Sequence, residues 1–339
     1  MVKSADAGGT VERRCMLISV VICTRNRAEQ LKRVLATAAA MEVSKALEWE
    51  MLLVDNGSTD DTADVVSSFA DRLPIRRFFE PLAGLSNARN RGVREARGAY
   101  LCWTDDDVML DEHWLTAYAS AFARHPNAAF FGGPIEPVFE GAPPAWLTDN
   151  RASLGFLLAE RDFGPETVAL TVEGNRLPFG ANFAVRAAEQ RMHLYDPQLG
   201  VAPSQKRLGE ETAVLHAILR DGGRGVWVAD ARVRHIIPQT RQSLRYVRVY
   251  QQSSGETWAY LSRGGTNNFM EGSAPTLVRR TLGVPNWMWR KVLIHRVSYA
   301  LYRYNGPSAR WLRHWQEYSF LRGAIKHFLC NIMSAHRPS

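Results

Sequence analysis

Ala99–Leu115, AYLCWTDDDVMLDEHWL, is the stretch whose reading decides the fold. Tyr100 to Trp103 is a short apolar run of strand type that ends on three consecutive aspartates, Asp105, Asp106 and Asp107. Trp114, Leu115 and Tyr118 then recur at helical spacing. Three like charges in a row repel, so the folded chain must neutralise them. Open α/β sheets bind ligands at the carboxyl ends of their strands. At such a place the natural neutraliser is a hard divalent cation, held by one or two carboxylates and by phosphate oxygens of a substrate. An acidic triplet by itself is more often a solvated turn that caps the following helix, and the neighbouring segments decide between the two.

Upstream, strand and helix signals alternate. Leu17 to Cys23 is a continuous β-branched run, as expected of a strand buried on both faces. After Thr24-Arg25-Asn26-Arg27, apolar Leu31, Val34, Leu35 and Ala38 fall at helical spacing. Glu50 to Val54 is a second strand, closed by Asp55 to Asp60, where Ser58, Thr59 or Asp60 can cap a helix to about Phe69. Ile75 to Phe79 is a third strand, and Gly84-Leu85-Ser86-Asn87 opens a helix to about Ala96. Four alternations predict a parallel sheet with helices on both faces. Polar clusters then fall along one sheet edge, where Arg25, Arg27, Arg89 and Arg91 offer bidentate forks for phosphate. An edge carrying both arginines and acids suits a metal-bound nucleoside diphosphate better than DNA.

Phe130 to Pro178 is rich in Gly and Pro and reads as long loops on an acceptor side. A strand is expected at Asn182–Val185, a helix from Gly209 onward with Glu210 and Glu211 in its first turn, and short strands at Val226–Ala229 and Arg232–Ile237, the last holding His235. No internal repeat is visible, and no run approaches the ~20 apolar residues that span a bilayer. Arg13-Arg14 before CMLISVVIC imitates a signal peptide, but the run is short and lacks a cleavage site, so a buried strand is expected. Four cysteines without paired spacing (Cys15, Cys23, Cys102, Cys330) predict free thiols in a reducing cytoplasm.

The net charge of +8 is uneven. From Pro275 onward there are eleven Lys or Arg side chains against a single acid, Glu317, so the basic character belongs to the tail. Trp311, Leu312, Trp315, Tyr318, Leu321, Ile325, Phe328 and Leu329 form an apolar stripe there, interspersed with Arg310, Arg313, Arg322 and Lys326. Such a helix either lies in a membrane interface or packs against the catalytic domain or a second subunit.

The stretches SVVICTRNR, LLVDNGSTDDT, GLSNARNRGVREARGAYLCWTDDDV, PFGANFAVR, GEETAVLHAILRDG and the strand with His235 together resemble the inverting family 2 glycosyltransferases of bacterial envelope or polysaccharide type. The resemblance covers about residues 16 to 240. It implies a GT-A fold, that is, α/β with a mainly parallel central sheet flanked by helices, here with a helical C-terminal extension. The implied division is a flexible 1–15, a catalytic domain over 16–240 (nucleotide-binding half 16–110, acceptor half 111–240) and a basic helical extension over 241–339.

Residue by residue, the resemblance implies nucleotide binding by Thr24, Arg25, Arg27, Asp55, Gly84, Asn87, Arg89, Asn90 and Asp105. It implies Mg²⁺ or Mn²⁺ on the Asp105–Asp107 run of DXD type, with His235 nearby and the choice between Asp106 and Asp107 open. The family's acidic pair is usually Glu-Asp; here it is Glu210-Glu211, which places the base at Glu211 with Glu210 as the other candidate. Trp103, Trp146, Phe179 and Asn182 are candidate sugar or acceptor contacts. The expected activity is a hexosyltransferase-type direct displacement from a nucleotide-diphosphate sugar, a UDP-sugar first of all, to a glycan or lipid-linked acceptor. The expected location is the cytoplasm, with peripheral contact to the cytoplasmic face of the membrane; a homo-oligomer stays open.

Two other readings are weaker. A sugar-nucleotide pyrophosphorylase carries a Gly-rich loop with Arg and Lys after its first strand, which Thr24-Arg25-Asn26-Arg27 is not. A non-catalytic membrane- or nucleic-acid-binding protein would use the basic tail, yet no nucleic-acid-binding signature is present, so no nucleic acid is expected.

Overall fold

In a computed structural model that describes residues 16–203, 205–263, 279–305 and 308–335, the first alternations become seven elements. They are β1 (Ile18–Thr24), α1 (Ala28–Ala38), β2 (Trp49–Asp55), α2 (Thr62–Ser67), β3 (Ile75–Phe79), α3 (Leu85–Glu95) and β4 (Tyr100–Asp105). The expectation for 1–15 lies outside the described residues. β1 pairs in parallel with β2 and β4, and β2 with β3. The registers put Thr24 beside Asp55 and Cys23 beside Asp105, so these strands end at one level. Ile18, Val20 and Ile22 pack with Leu31, Val34 and Leu35 of α1 on one face. Val21, Leu52 and Leu101 pack with Ala88 and Val93 of α3 on the other. Coverage of both faces is why these strands read as unbroken apolar runs. α2 stops two residues short of Phe69, which is buried in the core beyond the helix end.

The chain continues through β5 (Val108–Leu110), α4 (Trp114–Arg124), β6 (Phe130–Gly132), β7 (Ile135–Phe139), α5 (Ala145–Thr148), α6 (Arg151–Leu154) and β8 (Ala169–Leu170). Then come β9 (Asn182–Arg186), α7 (Ala187–Met192), β10 (Val201–Ala202), β11 (Gln205–Lys206), α8 (Glu210–Arg220), β12 (Gly225–Trp227) and β13 (Val233–Ile237). The region expected as loops therefore contains three strands and two short helices, each too brief for its periodicity to show in sequence. The main sheet has eight strands in the order β3-β2-β1-β4-β9-β6-β12-β8, and β9 runs antiparallel between β4 and β6. A second sheet, β5-β13-β7, pairs His235 with Val108, the residue after Asp107. That register brings the late histidine to the aspartate run.

The C-terminal part is α9 (Leu244–Arg263), β14 (Arg280–Thr281), β15 (Val284–Pro285), α10 (Asn286–Tyr302) and α11 (Ala309–Ala335). The apolar stripe of the tail lies on α11 and is covered. Trp311 and Leu312 are buried with Leu147, Leu154 and Val247, and Leu321, Ile325 and Phe328 with Ala259 and Met288. Packing against the rest of the chain is thus the reading found for this stripe. α9 and α11 meet backbone to backbone, because a Cβ on Gly255 would collide with the Phe320 carbonyl and one on Gly323 with the Gln252 carbonyl. Among the described residues no helix is long and apolar enough to cross a membrane.

Candidate active site

The ends of β1, β2 and β4, the start of α3, the β10–β11 hairpin, the start of α8, and α9 and α11 enclose a cleft of about 750 Å³. At its polar end the aspartate run is neutralised by side chains from distant segments. The Thr24 hydroxyl donates to Asp106 Oδ2 at 2.7 Å. Arg27 Nη1 donates to Asp106 Oδ1 at 2.7 Å and to Asp107 Oδ2 at 2.9 Å. Arg241 Nη2 adds a bond of 3.0 Å to Asp107 Oδ2, and its Nη1 lies 3.1 Å from His235 Nε2. His235 Nδ1 lies 2.9 Å from the Leu158 carbonyl oxygen, which fixes the ring and leaves Nε2 facing Asp107 Oδ1 at 3.5 Å.

Burial, together with the like charge of Asp107, raises the Asp106 carboxyl to about 6 against the pull of Arg27. Burial acts in the same sense on Asp107, but His235, Arg241 and Arg27 hold that carboxyl well below the usual range. Burial lowers His235, and the bond with Asp107 more than offsets this and raises it.

Across the cleft, Glu210 and Glu211 open α8, where the helix dipole favours acids. Between the two acidic groups lies Arg89 of α3. Its Nη1 is 3.2 Å from Glu210 Oε1 and 4.0 Å from Glu211 Oε2, and its Nη2 is 3.5 Å from Asp105 Oδ1. The rings of Trp103, Phe183 and Tyr195 surround the guanidinium at 5.4–5.9 Å. A Cβ on Gly180 would stand 2.7 Å from Arg89 Nη2, so a side chain there would push the guanidinium aside. Burial, then the like charge of Glu211, pushes Glu210 up to about 7 although Arg89 opposes. Glu211 is the more exposed of the two, 14% against 6%, and both line the cleft. Cys23 also lines it, and burial pushes its thiol up to about 12, so it stays protonated.

The cleft brings together Thr24, Arg25, Arg27, Gly84, Arg89, the three aspartates, Phe179, Glu210, Glu211 and His235. Six other expected residues are placed elsewhere. Asp55 is buried with its carboxylate taken by Arg77 at 2.6 Å and the Ser58 amide at 2.8 Å. Its neighbour Asn56 lines the cleft instead and accepts from the Gly84 amide at 2.7 Å. Asn87 donates to the Ala83 carbonyl at 3.2 Å, within its own turn. Asn90 accepts from the Tyr195 amide at 2.9 Å and donates to its carbonyl at 2.8 Å, pinning a loop. Trp103 is buried under α3 and bonds Gln190 at 3.1 Å. Trp146 packs on the Leu147–Leu158 cluster.

Asn182 is also a structural residue, fully buried and saturated. Its oxygen accepts from Trp114 Nε1 at 2.9 Å and Tyr118 at 2.8 Å, and its amide donates to the Pro134 and Ala231 carbonyls at 2.9 and 2.7 Å. Residues that sequence reasoning did not single out include Arg241, Tyr250, Trp258, Leu261 and Phe320, all on the cleft wall and all after position 240. The boundary drawn there passes between His235 and Arg241, which are in contact. Arg241 carried no signal beyond a cation a few residues after a strand.

Among the described residues no group of three or more His, Cys, Asp or Glu stands ready to hold a metal ion alone. Asp107 and His235 nevertheless face each other as an oxygen–nitrogen pair. That donor set fits a divalent cation whose remaining ligands are phosphate oxygens.

Residues 19–178 match the family model described as Glycosyl transferase family 2. The validoxylamine A glucosyltransferase of Streptomyces hygroscopicus subsp. jinggangensis is 41% identical over 110 residues, 32% of this chain and 26% of that protein. The succinoglycan biosynthesis protein ExoM of Rhizobium meliloti is 25% identical over 245 residues, 71% of this chain and 73% of its own. The chain spans about a quarter of the length of the first curated relatives it matches. Among solved structures, S. aureus TarS 1–349 aligns over 92% of this chain and 91% of its own, with a TM-score of 0.51 at 16% identity. Mannosyltransferase PcManGT from Pyrobaculum calidifontis, in complex with GDP-Man and Mn²⁺, aligns over 91% and 86%, with a TM-score of 0.54 at 17% identity. At such identities the likeness shows the fold, which is GT-A. The family match runs from β1 through β8 and takes in the whole aspartate run, so the stretch similar to Glycosyl transferase family 2 is the one that supplies the polar end of the cleft, on a GT-A fold.

Proposed function

We propose that this chain moves a sugar from a nucleoside-diphosphate donor, a UDP-sugar, to an acceptor hydroxyl by direct displacement with inversion. One observation carries the reading: an aspartate run bound by Arg27 and Arg241 shares a cleft with a helix-opening carboxylate pair, and Arg89 joins them. Inverting displacement needs a carboxylate to take the acceptor proton, and Glu211, the more exposed of the pair, is that base. Arg25, Arg27 and Arg241 stabilise the charge that grows on the leaving diphosphate. Asp107 and His235, with Asp105 beside them, would hold Mg²⁺ or Mn²⁺, which when bound neutralises part of that charge. Direct displacement asks for no enzyme nucleophile, and burial holds Cys23 as the thiol.

The wider reading draws on the relatives. TarS has been solved with UDP and with UDP-GlcNAc, PcManGT with GDP-Man and Mn²⁺, and ExoM is named for succinoglycan biosynthesis. The first two support a nucleotide-sugar donor and the third a role in polysaccharide synthesis; a glycan or lipid-linked acceptor, and a place at the cytoplasmic face of a membrane, complete the proposal. Tyr250, Trp258, Leu261 and Phe320 give the cleft an apolar wall that suits such an acceptor. The test is a thermal-shift panel of nucleoside diphosphates with and without Mn²⁺. A metal-dependent shift with UDP, abolished by Asp107→Ala, supports the donor site; no shift with any nucleoside diphosphate overturns it.

A further inference from the structure

α10 is apolar on two opposite sides. Its inner side is buried: Met288 is fully covered, Tyr299 stacks on Trp315 at 4.7 Å and Tyr302 on His314 at 5.6 Å. Its outer side holds Leu293, Ile294, Val297 and Leu301, which are 61%, 55%, 50% and 68% exposed. At 3.6 residues per turn these four form one stripe. Exposed Arg290 lies within it, and exposed Lys291 and Arg296 flank it on either side. Single exposed leucines are ordinary, but a contiguous apolar stripe on one helix marks an interaction surface.

The charge pattern selects the partner. The only acid from Pro275 onward is Glu317, so α10 and α11 are strongly basic. A second copy docked about a two-fold axis would bring the same basic set, Arg290, Lys291 and Arg296, into the contact from both sides, and α10 itself carries no acid to offset them. A bilayer with anionic headgroups supplies the counter-charge and, just beneath, an apolar layer for the leucines. The surface also adjoins the cleft, since Trp258 on the cleft wall meets Trp287 of α10 edge-on at 6.2 Å.

We propose that the outer face of α10 seats this protein on an anionic bilayer, with Leu293, Ile294, Val297 and Leu301 at the boundary of headgroups and acyl chains. Arg290, Lys291 and Arg296 then lie among the lipid phosphates. The inference rests on the peripheral location proposed above and moves it from the covered stripe of α11 to α10; it does not depend on sugar transfer.

The test is co-sedimentation of the full chain with vesicles of phosphatidylcholine alone and with about a third of phosphatidylglycerol, at low and high salt. Binding is expected to the anionic vesicles and to fall at least tenfold at high salt or on phosphatidylcholine alone. Leu293→Glu with Val297→Glu, and separately Leu301→Glu, lower it at least tenfold. Both variants keep the wild-type melting temperature and the nucleotide-induced thermal shift, so a failure here is distinct from a failure of the donor site. The proposal is overturned if the wild-type chain stays in the supernatant at low salt, or if the variants bind as well as wild type. It is equally overturned if light scattering shows a dimer that Leu293→Glu dissociates, because a second copy then covers the face.

Discussion

Replacing Glu210 by glutamine separates the two carboxylates that open α8. The buried Glu210 carboxyl rises from its ordinary 4.5 to about 7, driven by burial and by Glu211. Between those two pH values the folded chain keeps a proton that the unfolded chain has released, so stability falls as pH rises through the window. A rise of that size corresponds to about 3 kcal/mol once both states are ionised. Glutamine has nearly the same shape and cannot ionise, so Glu210→Gln lacks this loss. Denaturant unfolding should find the variant level with wild type near pH 4.5 and more stable by up to about 3 kcal/mol at pH 8. With the neighbouring Glu211 as the proposed proton acceptor, sugar transfer should stay within about tenfold of wild type. The reasoning fails if the variant gains equally at both pH values, or if it is the less stable protein at pH 8. Either result would mean that Arg89 holds Glu210 ionised throughout.

Glu211→Gln should lower kcat by about 10² to 10⁴ while leaving the nucleotide-induced thermal shift intact, and preserved turnover would place the base elsewhere. Asn182→Leu strands the buried Trp114 and Tyr118 donors and two carbonyls, which should cost on the order of 3 kcal/mol in denaturant unfolding with no change in donor affinity by calorimetry. Gly323→Ala presses a methyl group into the α9 backbone, and a loss of about 1–3 kcal/mol in stability is expected; an unchanged melting curve would contradict the close crossing. Arg241→Ala removes a cation 3.0 Å from Asp107 Oδ2. Mn²⁺ binding without nucleotide, measured by calorimetry, should then tighten by about tenfold or more, and weaker binding would show that Arg241 organises the site rather than competing for it.

What the sequence discloses and what it hides follow from how local each signal is. The parallel half of the sheet was legible because β1, β2 and β4 are buried on both faces and so read as apolar runs bounded by polar ends. Asp105–Asp107 and Glu210-Glu211 were legible as acids at element ends. Trp103 and Asn182 misled for a common reason: each lies where a ligand contact is plausible, but strand alternation decides its direction. Trp103 follows Leu101 onto the α3 face, in the cluster with Val21 and Phe183. Asn182, a lone polar residue beside an apolar strand, satisfies four buried partners. Arg241 was silent because its place depends on β13 pairing with β5 and β7, a long-range register with no local pattern.

The sequence offers Arg25, Arg27 and Arg89 alike to phosphate, and the fold divides them and adds Arg241. Arg89 is buried, ringed by three aromatic side chains, and within 4.0 Å of Glu210, Glu211 and Asp105. A cation so engaged cannot turn toward a diphosphate without leaving the buried Glu210 and the partly buried Glu211 unpaired, which is costly. Arg25 is exposed and Arg27 and Arg241 are partly so, and each reaches the cleft from a flexible stem. In the proposed reaction the cations offered to the diphosphate are therefore those three. Arg89 instead lies between Glu210, Glu211 and Asp105, within 4.0 Å of each, and so links the acidic pair to the aspartate run. Its loss would fall on the proton-accepting side of the cleft and on the fold around it, while the affinity for a nucleoside diphosphate would follow Arg25, Arg27 and Arg241.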